Sequence, residues 1–260
     1  KVFMGASTGE MLVDSLDALD DIFHYSPLIV VTHCEDPQRV VDNEKLFYEK
    51  YGDDLCAEQH HLIRDVESCY LSSSLAVSLA KKYDADLHVF HLTTEKEMEL
   101  FTEGDVIGKK ITAEVCVHHM HFEESSYAEL GNQIKCNPSI KYESDRQALI
   151  QALLNNKIDI IATDHAPHTW DEKMMRYQEA PAGLPLVQHG LQILMDFYHQ
   201  GILSLETIVE KTSHNVAKRF QVKDRGYIRE GCFADIVIVD SDKKLSLIHI
   251  PSPRDLSTSR

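Results

Sequence analysis

Short apolar runs rich in β-branched residues alternate with longer stretches of helical periodicity, which predicts an α/β fold of parallel strands joined by crossover helices. Five strand–helix units follow one another, and no glycine-rich phosphate loop follows any strand. A (β/α)8 barrel seen over its strands four to eight therefore fits better than a doubly wound open sheet. The strand segments are residues 1–4, 28–32, 86–90, 111–116 and 158–163. Helices are expected over 67–83, with apolar residues at helical spacing, and over 144–155, which opens on a Ser-Asp cap signal. Two more follow the last strand, over 185–199 and from Ser204 to about residue 220, where Ser204-Leu205-Glu206-Thr207 gives a weak capping signal.

Residues 226–240 change character: a glycine-punctuated turn leads into an alternating strand over 234–240, the start of a small β domain beside the barrel. The chain divides accordingly into a partial barrel (1–222), strand structure of the accessory domain (223–242) and a tail (243–260). That tail is Ser/Pro/Arg-rich and without periodicity. It looks more like translated sequencing-adapter read-through than native protein, and it is set aside.

The chain has 260 residues, 43% of them hydrophobic, enough for one sizeable core. Its 42 acidic against 26 basic residues leave a net charge of −16, which argues against a nucleic-acid partner. No apolar run approaches the roughly 20 residues of a membrane span, so no membrane partner is expected. The six cysteines are scattered with no CxxC pair and read as reduced thiols of a cytoplasmic protein.

Chemistry concentrates where strands end. Ala162-Thr163-Asp164-His165-Ala166-Pro167-His168-Thr169 directly follows a β-branched run, which puts the Asp164 carboxylate in the mouth of a barrel. There it can bind a metal and take a proton from water; the bland alternative is a helix cap. His33 and His91 each terminate an apolar strand, and two imidazoles with a carboxylate make a catalytic zinc shell with room for water. For a single histidine, a hydrogen-bonded strand end would be the better reading. Lys1, opening its run, is unremarkable on residue chemistry alone.

Taken together, KVFMGASTG, VVTHCEDP, LHVFHLTT, ITAEVCVHH, KCNPSIK, ATDHAPHT, EAPAGLPLVQHGL and IREGCFADIVIVD resemble the amidohydrolase superfamily, and most closely its bacterial dihydroorotases. ATDHAPHT is the most specific of these; the last segment marks only the superfamily. The resemblance runs in family order from Lys1 to about Asp240. It implies a metal-dependent hydrolase with two Zn2+ ions bridged by a carbamylated lysine at Lys1, His33 and His91 on one ion, and Asp164 on the other as proton shuttle. It also implies substrate contacts from Asn137, His168, Ala182 and Gly183, with dihydroorotate and N-carbamoyl-aspartate as small-molecule partners in pyrimidine synthesis, and leaves room for a homo-oligomer. Glu114 occupies the position where some relatives hold a further metal.

The family's first metal also takes a His-x-His pair with a nearby substrate arginine, which this sequence lacks. His118-His119 is adjacent rather than spaced by one and is assigned to the seventh strand, so it cannot substitute. The polypeptide is accordingly expected to be an N-terminally truncated form, inactive by itself and poorly stable, because an open barrel exposes sheet edges. Two other readings stand beside it: allantoinase or dihydropyrimidinase/hydantoinase, and a non-catalytic barrel acting as an assembly partner.

Overall fold

The computed structural model describes residues 1–5, 12, 13 and 15–242. The Ala6-Ser7-Thr8 portion of the first motif and the 243–260 tail lie outside the described residues. Five strands, β1 (Val2–Phe3), β2 (Val30–His33), β3 (Leu87–Val89), β4 (Ile111–Cys116) and β5 (Ile160–Ala162), form one sheet in that order, every neighbouring pair parallel. Each predicted strand segment overlaps one of them, β2 running one residue past the expected 28–32, and the fold class is the expected one, a (β/α)8-type barrel represented by five strands.

The register explains how the sheet divides its labour. Phe3 pairs with His33, Val31 with His88, His88 with Thr112, and Glu114 with Ile160. Because side chains alternate along a strand, Lys1, His33, His88, Thr112 and Glu114 share one face. The other face carries Val2, Met4, Val30, Leu87, Val89, Ala113, Val115 and Ile161, all buried in one apolar core with helix residues such as Phe23, Val77 and Leu149. Helices therefore cover one side, and polar side chains collect on the other.

Helix starts follow local chemistry. Asp36 caps Pro37–Tyr51 by accepting from the Arg39 amide at 2.8 Å, with Pro37 in the first turn where its missing N–H costs nothing. Asp65 caps Val66–Tyr83 through the Ser68 amide, and Asp84 ends that helix in the left-handed region at φ 54°. The helix expected over 144–155 is Glu143–Leu154. The one expected from Pro185 begins only at Gly190, where a Cβ would stand 2.8 Å from Thr163 Cγ2, so only glycine lets this helix start so close to the end of β5. The segment from Ser204 is helical throughout but is interrupted by a π-helical turn, Glu210–His214, between Leu205–Val209 and Asn215–Arg219. That widened turn carries Lys211 inward, where Nζ donates to Asn156 Oδ1 at 2.7 Å and to the Ile158 carbonyl at 3.1 Å.

Residues 234–240, expected as a strand, pair with no neighbour among the described residues, and Ile236, Val237 and Ile238 are exposed. Alternation specifies which face would be buried, but a strand forms only against a partner. His118 and His119 are also corrected: β4 ends at Cys116, and both histidines lie in the helical turn Val117–His121.

Candidate active site

His33 closes β2, and His91 follows β3 in a left-handed conformation, φ 37°, that turns its ring toward β2. The result is a contact of 3.0 Å between His33 Nδ1 and His91 Nε2, both residues buried. A third group fixes this pair. His33 Nε2 lies 2.8 Å from Glu35 Oε2, which also receives Arg64 Nη1 at 2.6 Å. Burial alone would raise the Glu35 pKa. The Arg64 charge, the His33 hydrogen bond and Lys141 outweigh it and hold the carboxyl well below the usual carboxylate range. An ionised Glu35 makes His33 Nε2 the donor, so the lone pair on Nδ1 points at His91.

Burial, with the nearby His33 charge, pushes the His91 pKa well below its ordinary value, and its Nδ1 has no partner. Two buried ring nitrogens at van der Waals-to-hydrogen-bond separation, one held from behind by a carboxylate, fit a metal ion: this is the carboxylate–histidine–metal arrangement.

Asp164 follows β5 with φ 43°, a strained position for a non-glycine residue. It is exposed to solvent, yet enough protein surrounds the carboxyl on its inner side that burial is the main influence raising its pKa. The Lys1 charge opposes that rise, as His33 does when protonated, and Glu114 adds to it. Lys1 is exposed, with Nζ 4.5 Å from the Phe3 ring centre and 4.8 Å from that of Phe90. Glu114 points instead to His88 Nε2 at 3.1 Å.

The four residues expected to touch substrate assemble separately. His168 Nε2 lies 3.1 Å from the Ala182 carbonyl, and the Gly183 amide donates to Lys135 O at 2.8 Å, two residues from Asn137. Gly183 has φ 137°, and a Cβ there would stand 2.6 Å from Ala166 Cβ, so this crossing requires glycine. Asn137 Oδ1 is buried without a partner. Asn137 and Ala182 line a cleft of about 680 Å³ whose wall also includes His60, Arg64, Lys135 and Tyr177. None of the expected metal ligands lines it, but Arg64 does, and Arg64 reaches His33 through Glu35. Sequence reasoning missed Glu35, Arg64 and Lys135. The available signal was the carboxylate two residues after a candidate ligand histidine.

A family profile described as "Amidohydrolase family" matches residues 74–258. The chain belongs to the amidohydrolase family. Among its curated relatives, a dihydroorotase of Carboxydothermus hydrogenoformans is 31% identical over 222 residues, 82% of this chain and 49% of the relative. A dihydroorotase of Halobacterium salinarum is 30% identical over 93% of the chain and 55% of its own length. This amidohydrolase thus spans about half the length of the curated relatives it matches. The solved L-hydantoinase (dihydropyrimidinase) of Arthrobacter aurescens superposes with a TM-score of 0.80 at 22% identity, covering 90% of this chain and 53% of that one. A dihydroorotase of Saccharomyces cerevisiae in complex with 5-fluoroorotic acid gives 0.63 at 17% identity over 81% of this chain and 56% of that one. At these identities the structures speak for the fold. Among the described residues no helix is long and apolar enough to cross a membrane.

Proposed function

We propose that this amidohydrolase acts in the cytoplasm as a zinc-dependent dihydroorotase, interconverting (S)-dihydroorotate and N-carbamoyl-L-aspartate in pyrimidine synthesis. The observation that carries the reading is the buried His33–His91 pair, backed by Glu35 and Arg64, with Asp164 following β5 of the same sheet. Lys1 in carbamylated form, His33, His91 and Asp164 would hold two zinc ions. Bound there, the metal supplies Lewis acidity toward the ring carbonyl and makes water acidic near neutral pH. Asp164 accepts the proton of the attacking water on a carboxylate oxygen and returns it to the leaving ring nitrogen. Asn137, His168 and the backbone of Ala182 and Gly183 orient the ring and its carboxylate.

The Asp164–Thr169 run and Asn137-Pro138 support dihydroorotate as the substrate. The structural likeness to hydantoinases favours one second reading, a dihydropyrimidinase. Rates with dihydroorotate, allantoin and dihydrouracil on the intact protein separate the two: preference for dihydrouracil refutes the dihydroorotase. Asp164→Asn should lower turnover by about 10²–10⁴-fold with most zinc retained, and activity surviving that change removes Asp164 as shuttle.

A further inference from the structure

A second set of metal-ligating atoms stands at the end of β4. Cys116 ends the strand, and the helical turn that follows turns His118 and His119 inward, so all three side chains are buried. One ligand atom from each lies within 4.8 Å of the others. The two rings stack obliquely, 4.1 Å between centroids.

Hydrogen bonding leaves this group unfinished. Neither ring nitrogen of His118 has a partner, and His119 Nδ1 has none. Burying an unsatisfied polar nitrogen costs about 1–3 kcal/mol, so three of them in one turn call for a ligand or an equivalent compensation. His119 Nε2, in contrast, lies 3.0 Å from the Pro138 carbonyl. A carbonyl can only accept, so Nε2 carries the hydrogen and Nδ1 keeps the lone pair, the arrangement by which a backbone carbonyl orients a metal-ligating imidazole. Cys136 lies close, with Sγ 3.9 Å from His119 Nε2, but its thiol already donates to the Pro138 carbonyl at 3.2 Å. It is therefore not counted as a ligand.

We propose that Cys116, His118 and His119 form a transition-metal site of their own, sharing no ligand with His33, His91 or Asp164. One thiolate and two neutral imidazoles select a borderline-soft dication, zinc or its spectroscopic substitute cobalt(II), over calcium or magnesium. Binding converts the Cys116 thiol to a thiolate and releases its proton to solvent, so apparent affinity rises as pH rises toward the thiol pKa.

The test uses the intact protein, stripped with a chelator and titrated with cobalt(II). A thiolate ligand gives a sulfur-to-cobalt charge-transfer band in the near ultraviolet that lysine, histidine and aspartate cannot produce. We expect the band to saturate at one equivalent, to vanish in Cys116→Ser, to need more cobalt in His118→Gln, and to persist in Cys136→Ser and His33→Asn. No band in folded wild-type protein, a band surviving Cys116→Ser, or a band lost only in Cys136→Ser each overturns the assignment. Should Cys116→Ser fail to fold, zinc-edge X-ray absorption on the wild type decides: a sulfur at about 2.3 Å supports the site, and a sulfur-free shell removes it. A charge-transfer band in a protein of the relatives' full length that lacks hydrolase activity sinks only the dihydroorotase reading; hydrolysis without the band sinks only this one.

Discussion

Replacing Arg64 with methionine tests how His33 is held. The Glu35 side chain is fully buried and that of Arg64 is 8% exposed, with 2.6 Å between Nη1 and Oε2. Removing one member of a buried ion pair leaves the other uncompensated, typically costing about 3–5 kcal/mol. His33 and Lys141 still act on Glu35, so the lower end, about 3 kcal/mol, is expected. At about 2–4 °C per kcal/mol for a chain of this size, the melting temperature should fall by about 6–12 °C. Glu35→Gln in the same background removes the stranded charge and should recover most of the loss. The two changes are thus non-additive by about 2 kcal/mol. The pH dependence has a definite sign. In the wild type the Glu35 pKa is depressed, so its contribution is present above the unfolded value near 4.5 and lost as pH falls through the folded value. In Arg64→Met burial dominates and the folded pKa rises, so the deficit shrinks on acidification. Denaturant melts of the metal-free proteins by circular dichroism measure each quantity. A loss under about 1 kcal/mol for Arg64→Met, or no rescue by Glu35→Gln, refutes the claim that this pair is a coupled buried unit.

Three further outcomes follow from individual residues. His60 is buried between the Cys136 carbonyl (2.8 Å) and Tyr177 Oη (2.7 Å), and burial holds its pKa well below 6.5. Below pH 6.5 the unfolded chain takes up a proton that the folded one does not, so stability falls with pH, and His60→Gln should flatten urea midpoints between pH 6.5 and 5 by about 1.4 kcal/mol per unit; an unchanged slope is the contrary result. Gly183→Ala meets both a positive φ and a 2.6 Å clash with Ala166 Cβ. It should cost about 1–3 kcal/mol in thermal melts, and a neutral alanine would mean the crossing is loose. Leu87→Ala, at a fully buried position in β3, should cost about 2–5 kcal/mol by denaturant melt, and a smaller loss would show that the core collapses around the vacancy.

The strands were legible because buried parallel strands read as short, nearly continuous apolar runs, as Ile160 to Ala162 and Leu28 to Val31 do. The helix Pro37–Tyr51 was not singled out, since only Val40 along it is buried and Val41, Leu46 and Tyr48 face solvent, which blurs its periodicity. Glu35 was hidden for another reason. A carboxylate before Asp36-Pro37 looks like part of a helix-capping loop, and its meaning depends on Arg64, 29 residues away in sequence and 2.6 Å away in space. Residues 234–240 show the opposite case: the local pattern is present, and among the described residues no partner pairs with it. Strand-end positions pointed to His33, His91 and Asp164 and the resemblance added Lys1, but neither could reveal that His118 and His119 leave three ring nitrogens buried and unsatisfied.

The position of the candidate site also bears on the shape of the sheet. Lys1 precedes β1 and Asp164 follows β5, the two edge strands of the order β1-β2-β3-β4-β5. With neighbouring strands about 4.8 Å apart, a flat sheet would separate those edges by about 19 Å, roughly two Debye lengths at 0.1 M salt. The chain nevertheless shares the fold of a solved hydantoinase, with a TM-score of 0.80 over 90% of its length, so the sheet curls as in a barrel, its helix-covered apolar face outward and the face that carries Lys1, His33 and Glu114 inward. Lys1 and Asp164 are exposed at the two edges, while His33 and His91 sit buried between them. A barrel-type sheet thus sets four ligand candidates at the ends of four strands without any loop having to reach across, and the polar face of the register becomes its inner wall.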